Sequence, residues 1–180
     1  MPIGNSTERW GWLAQALHWL MAIALIGNLI AGFVGEEMRL SPDKIKLFLW
    51  HKSVGITLLG LVIIRLTWRA AQPTPQLPSM PNWQRSLVHL SHILLYLLML
   101  AMPISGWLMN SAADFPLKWF GWFELPSLLG PSDTLKQQFA MWHENIAWTL
   151  VAVLSLHIAA AIKHAVVDKD DVLKRMLPGA

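Results

Sequence analysis

The sequence predicts an all-α fold, a four-helix transmembrane bundle, on three observations. Hydrophobic residues fill 54% of its 180 positions and charged ones 14%, against about a quarter charged in ordinary soluble domains. Four windows reach the roughly 20 apolar residues needed to cross a bilayer core. Of the eleven tryptophans, Trp12, Trp50, Trp68, Trp107 and Trp142 fall near the ends of those windows, where an amphipathic indole prefers the lipid interface. Trp19 and Trp148 read as hydrophobic filler.

The first window runs from Trp12 to Val34 and carries no lysine, arginine or acid. It is too long for a signal peptide and lacks a basic leader and a small-residue cleavage site, so it reads as a retained helix. The second, Leu47 to Trp68, contains Lys52 and Arg65 within a few residues of its ends, where long side chains snorkel to the surface. "AAQPTPQLPSMPNW" follows, proline-rich and polar, and reads as an extended connection. The third window, Ser86 to Met109, is again free of charge. A longer connection, "SAADFPLKWFGWFELPSLLGPSDTLKQQ", separates it from the fourth, Ala140 to Ile162, whose one charge is Glu144 near an end. The aromatic residues of that connection are candidates for the membrane interface. No repeat and no second domain is visible, so residues 1–180 read as one integral-membrane domain.

Four spans place both termini on one side. That side carries Arg9, Arg65, Arg69, Arg85, Lys163, Lys169, Lys174 and Arg175 against four acids, and the other carries six bases against seven acids. By the positive-inside rule the termini are expected in the cytoplasm. The formal net charge is only +3 and no basic run resembles a nucleic-acid footprint, which sets nucleic acid aside. There is no cysteine, which excludes disulphides, thiolate metal sites and covalently attached c-type haem.

Histidine is what remains for metal chemistry. His143 and His157 lie fourteen residues apart in the last span, about 21 Å along a helix and nearly four whole turns, so both project from almost one face. His51 lies about 6 Å into the second span, near the depth of His143; His18 lies about 9 Å into the first from the opposite end, near the depth of His157. A single intramembrane histidine is most often a hydrogen-bonded packing residue. Four in two depth-matched pairs point instead to a cofactor, because ionisable groups in lipid are costly and neutral imidazole is an axial ligand of haem iron. Zinc or copper wants three or four ligands around one ion. Two b-type haems, bound without covalent links and stacked across the bilayer, follow from the pairing. Gly27, Gly32, Gly55 and Gly60 could give them room, although small residues also pack bare helices. Spacing leaves one choice open: His92 in the third span is about as deep as His18, with His89 one turn away on the same face.

The motifs "LHWL" around His18, "HKSVGITLLGLVIIRLTWR" from His51, "HLSHILLYLLMLAMPISG" from His89 and "WHENIAWTLVAVLSLHIAAAIKH" from Trp142 cover every span. In their order and histidine spacing the chain resembles the bacterial di-haem cytochrome b561 proteins, small quinone-linked cytochromes of the inner membrane. The resemblance implies one haem held by His18 and His157 and another by His51 and His143. It also implies electron transfer with ubiquinone, and some members look like superoxide oxidases. Cytochrome subunits that anchor membrane hydrogenases and formate dehydrogenases are related, but typically carry a further span and a periplasmic partner. Short tails and four spans favour the stand-alone type.

Three functions therefore stand side by side: an electron-transfer enzyme between a periplasmic-side donor and ubiquinone, an anchor subunit serving a catalytic partner, and a haem-free bundle using its histidines for packing or metal transport. For the first, His89, His92 and His164 are candidates for quinone binding or proton delivery, each with a solvated helix end as the plainer explanation. Arg65 is a candidate for a haem propionate, or simply a positive-inside anchor. Lys52 and Lys136, toward the outer face, are candidates for attracting an anionic donor.

Overall fold

A computed structural model describes residues 2–178. It contains four long helices: α1 (Trp12–Glu37), α2 (Pro42–Ala71), α3 (Asn82–Ala112) and α4 (Asp133–Lys163). All four are long and apolar enough to cross a membrane. Each contains one of the windows expected from sequence and runs beyond it into polar residues. For two of them the reason is local: Ser41 caps α2 by accepting from the Lys44 amide at 3.2 Å, with Pro42 opening the first turn and Asp43 in it, and Ser132 caps α4 through the Leu135 amide at 3.3 Å with Asp133 in the first turn. Such caps extend a helix past the apolar stretch that lipid requires.

α3 packs most extensively against α4, and α1 against α2. A buried layer of Met21, Leu25, Leu58, Val62, Leu95 and Leu150 closes the middle of the bundle. Outward-facing Ile23 and Leu156 are about 70% exposed, the inversion expected where the solvent for a helix face is lipid.

One end of the bundle gathers the N-terminal segment, the α2–α3 connection and the C-terminal tail. Gln76 donates its amide to Thr7 O at 2.9 Å, Arg175 reaches Gln76 O at 2.7 Å, and the tail accepts from α1 side chains, Gln15 at Arg175 O (3.1 Å) and Trp19 at Met176 O (2.8 Å). The described N-terminal and C-terminal segments thus lie together at this end, the terminus end of the bundle. Trp19 serves as a tie to the tail, not as filler; Trp148 is exposed and packs on Phe33 at 4.8 Å. Beyond α4 the chain makes a π-helical turn (His164–Asp168) and a short 3-10 turn (Lys174–Met176).

At the opposite end a two-stranded antiparallel hairpin, β1 (Leu117–Trp119) and β2 (Phe123–Leu125), adds a feature the all-α reading did not contain. Its turn needs positive φ at Phe120 and Gly121, the second of which glycine meets without strain. Buried Ser53 of α2 accepts the Phe120 amide at 3.0 Å, and the Trp119 indole donates to Thr57 Oγ1 at 3.0 Å. Trp119 therefore folds onto α2, while Trp122 and Phe123 remain exposed.

Candidate functional site: histidine pairs at two levels

At the hairpin end His51 of α2 faces His143 of α4 with ring centres 6.3 Å apart. At the terminus end His18 of α1 faces His157 of α4 at 6.4 Å. Leu150, seven residues from each α4 histidine, lies between the two levels with no exposed surface. The depth pairing read from spacing is therefore a pairing in space.

Hydrogen bonds define the hairpin-end rings. His51 Nδ1 lies 3.1 Å from Asn28 O; a carbonyl only accepts, so that nitrogen carries the hydrogen and Nε2 is left as a lone-pair donor. His143 Nδ1 lies 2.9 Å from Ser105 Oγ. That hydroxyl spends its hydrogen on Met102 O at 2.8 Å, so it accepts from His143, which likewise keeps Nε2 free. Neither Asn28 nor Ser105 was singled out by sequence; an amide and a hydroxyl inside otherwise apolar stretches were the available signals.

Two glycines let these rings lie flush against neighbouring helices. A Cβ on Gly32 would come within 3.0 Å of His51 Cε1, and one on Gly106 within 3.0 Å of His143 Cε1. Gly106 was not among the glycines read from sequence. Of those that were, Gly55 has only Asn28 near its Cβ direction, at 3.7 Å, while Gly27 and Gly60 have nothing within 4 Å. Gly32, Gly55 and Gly106 line a largely apolar cavity of about 660 Å³ shared by His51 and His143, within the roughly 300–1,000 Å³ typical of small-molecule sites.

The terminus-end level is more crowded. His92 of α3 also packs on His157, edge to face at 5.5 Å, so His157 has a neighbour on either side. His18 Nδ1 is buried without a partner, as are Gln15 Oε1 and Trp68 Nε1 in the same half of the bundle.

The remaining candidates divide. Lys52 lines the hairpin-end cavity and donates to Asn110 Oδ1 at 2.6 Å. Lys136 is exposed in the first turns of α4, away from the cavity lining. Arg65 donates to Tyr96 Oη at 3.0 Å and lies within electrostatic reach of His18 and His157. His89 is exposed. His164 is half-buried, its Nδ1 donating to Asp170 Oδ2 at 2.6 Å, and borders a cavity of about 300 Å³ with Pro78, Pro81, Gln84, Asp168 and Asp170.

A multi-pass bundle with intramembrane histidines paired at two levels has the construction of a membrane electron-transfer protein. The family model described as prokaryotic cytochrome b561 matches residues 9–179, and the chain belongs to that family, whose cofactor is b-type haem. It is 35% identical to cytochrome b561 homolog 2 of Escherichia coli (strain K12), over 98% of this chain and 95% of that one. It is 30% identical to cytochrome b561 homolog 1 of the same organism, over 71% and 73%. It is 28% identical to the probable superoxide oxidase CybB of Yersinia pestis, over 95% and 97%.

The residues fit such a group. Ring centres 6.3 Å apart leave space for one metal ion between two imidazoles with bonds of about 2 Å. Both hairpin-end rings present an unprotonated Nε2, the adjoining cavity is apolar, and the glycine cradle keeps its walls clear. At the other level the 6.4 Å separation of His18 and His157 repeats that spacing, and the partnerless His18 Nδ1 and Trp68 Nε1 are buried polar atoms that a bound group could satisfy.

Proposed function

We propose that the protein holds two b-type haems, one between His51 and His143 and one between His18 and His157, and passes electrons through them to ubiquinone from a donor on the opposite face. The observation that carries this reading is the near-identical spacing of the two pairs, 6.3 and 6.4 Å, on one helix that spans the bundle. Bound there, haem supplies reversible one-electron chemistry at both levels. His143 and His157 fix the two levels from α4, and the apolar layer around Leu150 keeps water out of the space between them.

The charge asymmetry supports an inner-membrane orientation with both termini cytoplasmic and the hairpin end periplasmic. Lys52, held by Asn110 beside the hairpin-end cavity, favours an anionic donor, and the name of the Yersinia pestis relative makes superoxide the first to try. Arg65 is placed to meet a propionate of the terminus-end haem. Quinone reduction consumes protons, and His164 is placed for their delivery: it donates its Nδ1 hydrogen to the Asp170 carboxylate and borders the neighbouring cavity.

Two measurements test the proposal. Acid-acetone extraction should release all the haem, at close to two per chain; retained haem or a ratio near one counts against it. His164→Ala should keep both haem spectra and their reduction from the hairpin side, yet slow re-oxidation by ubiquinone analogues on the order of a hundredfold, the scale of a lost proton-transfer group. Parental re-oxidation in that variant, together with loss of quinone turnover on substituting Lys52, would move the quinone to the hairpin end.

A further inference from the structure

We propose that Ser105 is a positioning residue that sets the reduction potential of the hairpin-end haem through His143. The inference rests on the assignment of His51 and His143 as that haem's ligands. Ser105 is 5% exposed, and its single hydrogen goes to Met102 O. Its oxygen has no role left but to accept, and it accepts the Nδ1 hydrogen of His143 at 2.9 Å. This arrangement does two things. It fixes the tautomer, so that Nε2 alone can ligate iron, and it pulls electron density toward the ring by drawing on the Nδ1 hydrogen, which makes the imidazole a stronger donor. A stronger donor stabilises the ferric state and lowers the potential.

The support around Ser105 is specific to this end of the bundle. Pro103, two residues earlier, interrupts the amide ladder of α3, and Gly106, one residue later, removes the Cβ that would push the His143 ring off the hydroxyl. His51 has an equivalent acceptor in Asn28 O. At the other level His18 Nδ1 has no hydrogen-bond partner among the described residues. The hydroxyl therefore marks one haem and leaves the other untouched.

The test is a redox titration of the haem-loaded full chain, with the hairpin-end component identified as the one lost in His51→Ala. Ser105→Ala should shift that component to higher potential and leave the other in place, with six-coordinate low-spin spectra retained at both; Ser105→Thr, which keeps the hydroxyl, should restore the parental value. An unmoved potential in Ser105→Ala overturns the proposal, as does an equal shift of both components. If Ser105→Ala loses the haem altogether, Ser105→Thr decides: the parental potential supports the role, and a displaced one refutes it. Failure of the ligand assignment would look different, because His143→Ala would then still carry both haems.

Discussion

His143→Ala should lower the haem content from two per chain to one, and His51→Ala should remove the same haem. The two rings face each other at 6.3 Å across an apolar cavity, each with Nδ1 engaged and Nε2 free. Loss of either leaves a single imidazole and an open coordination position in a dry helix bundle, with no thiolate or second histidine at that level to replace it. Reduced-minus-oxidised spectra should lose about half of their amplitude in each variant, while the double variant loses no more than either single one. At the other level His18→Ala and His157→Ala should share a phenotype, and His92→Ala should keep both haems. That comparison matters because His92 lies closer to His157 than His18 does, 5.5 against 6.4 Å. If His92→Ala abolished the terminus-end haem and His18→Ala retained it, α3 would be the partner of α4 there.

The second large effect is expected from residues that carry no functional group. Gly106→Val should eliminate the hairpin-end haem and spare the other. A Cβ at that position already falls 3.0 Å from His143 Cε1 and 3.3 Å from Nδ1, and a branched side chain adds bulk on the same line. The ring cannot simply swing aside without giving up Ser105, and overpacking of this kind costs about 1–3 kcal/mol even in an accommodating core. Gly32→Val should act in the same way on His51, whose Cε1 lies at 3.0 Å. Gly106→Ala should give a partial loss, since one methyl asks for a displacement of only a few tenths of an ångström. Full haem content in both valine variants would show that the rings have room the packing does not suggest.

Much of this was legible in the sequence because lipid simplifies the code. Charge-free windows mark the helices, and fourteen residues between His143 and His157 dictate two levels on one face whatever else the chain does. What stayed hidden depends on which helix faces which. His18 and His92 share a depth, and only the packing of α1 and α3 on either side of His157 distinguishes their distances. Ser105 and Asn28 are two of several polar residues in their spans, with nothing in the sequence to set them apart, and their partners come from α4 and α2. The hairpin was missed because three-residue strands are too short to show an alternating pattern, and because its anchors, Ser53 and Thr57, lie more than sixty positions away.

The apolar layer between the histidine levels has a further consequence. Its six buried side chains, with Leu150 and Val62 fully enclosed, include no donor or acceptor along which a proton could hop. Under the proposed function, an electron crossing this layer from one level to the other would do so without a proton, and charge would thereby be separated across much of the bilayer. The transmembrane voltage then enters the energetics directly, at about 2.3 kcal/mol per 100 mV for a charge that traverses the full thickness. In the proposed orientation, with the termini on the negative side of an energised membrane, electron flow from the hairpin end toward the termini would work against that field, and turnover would become a function of how fully the membrane is charged.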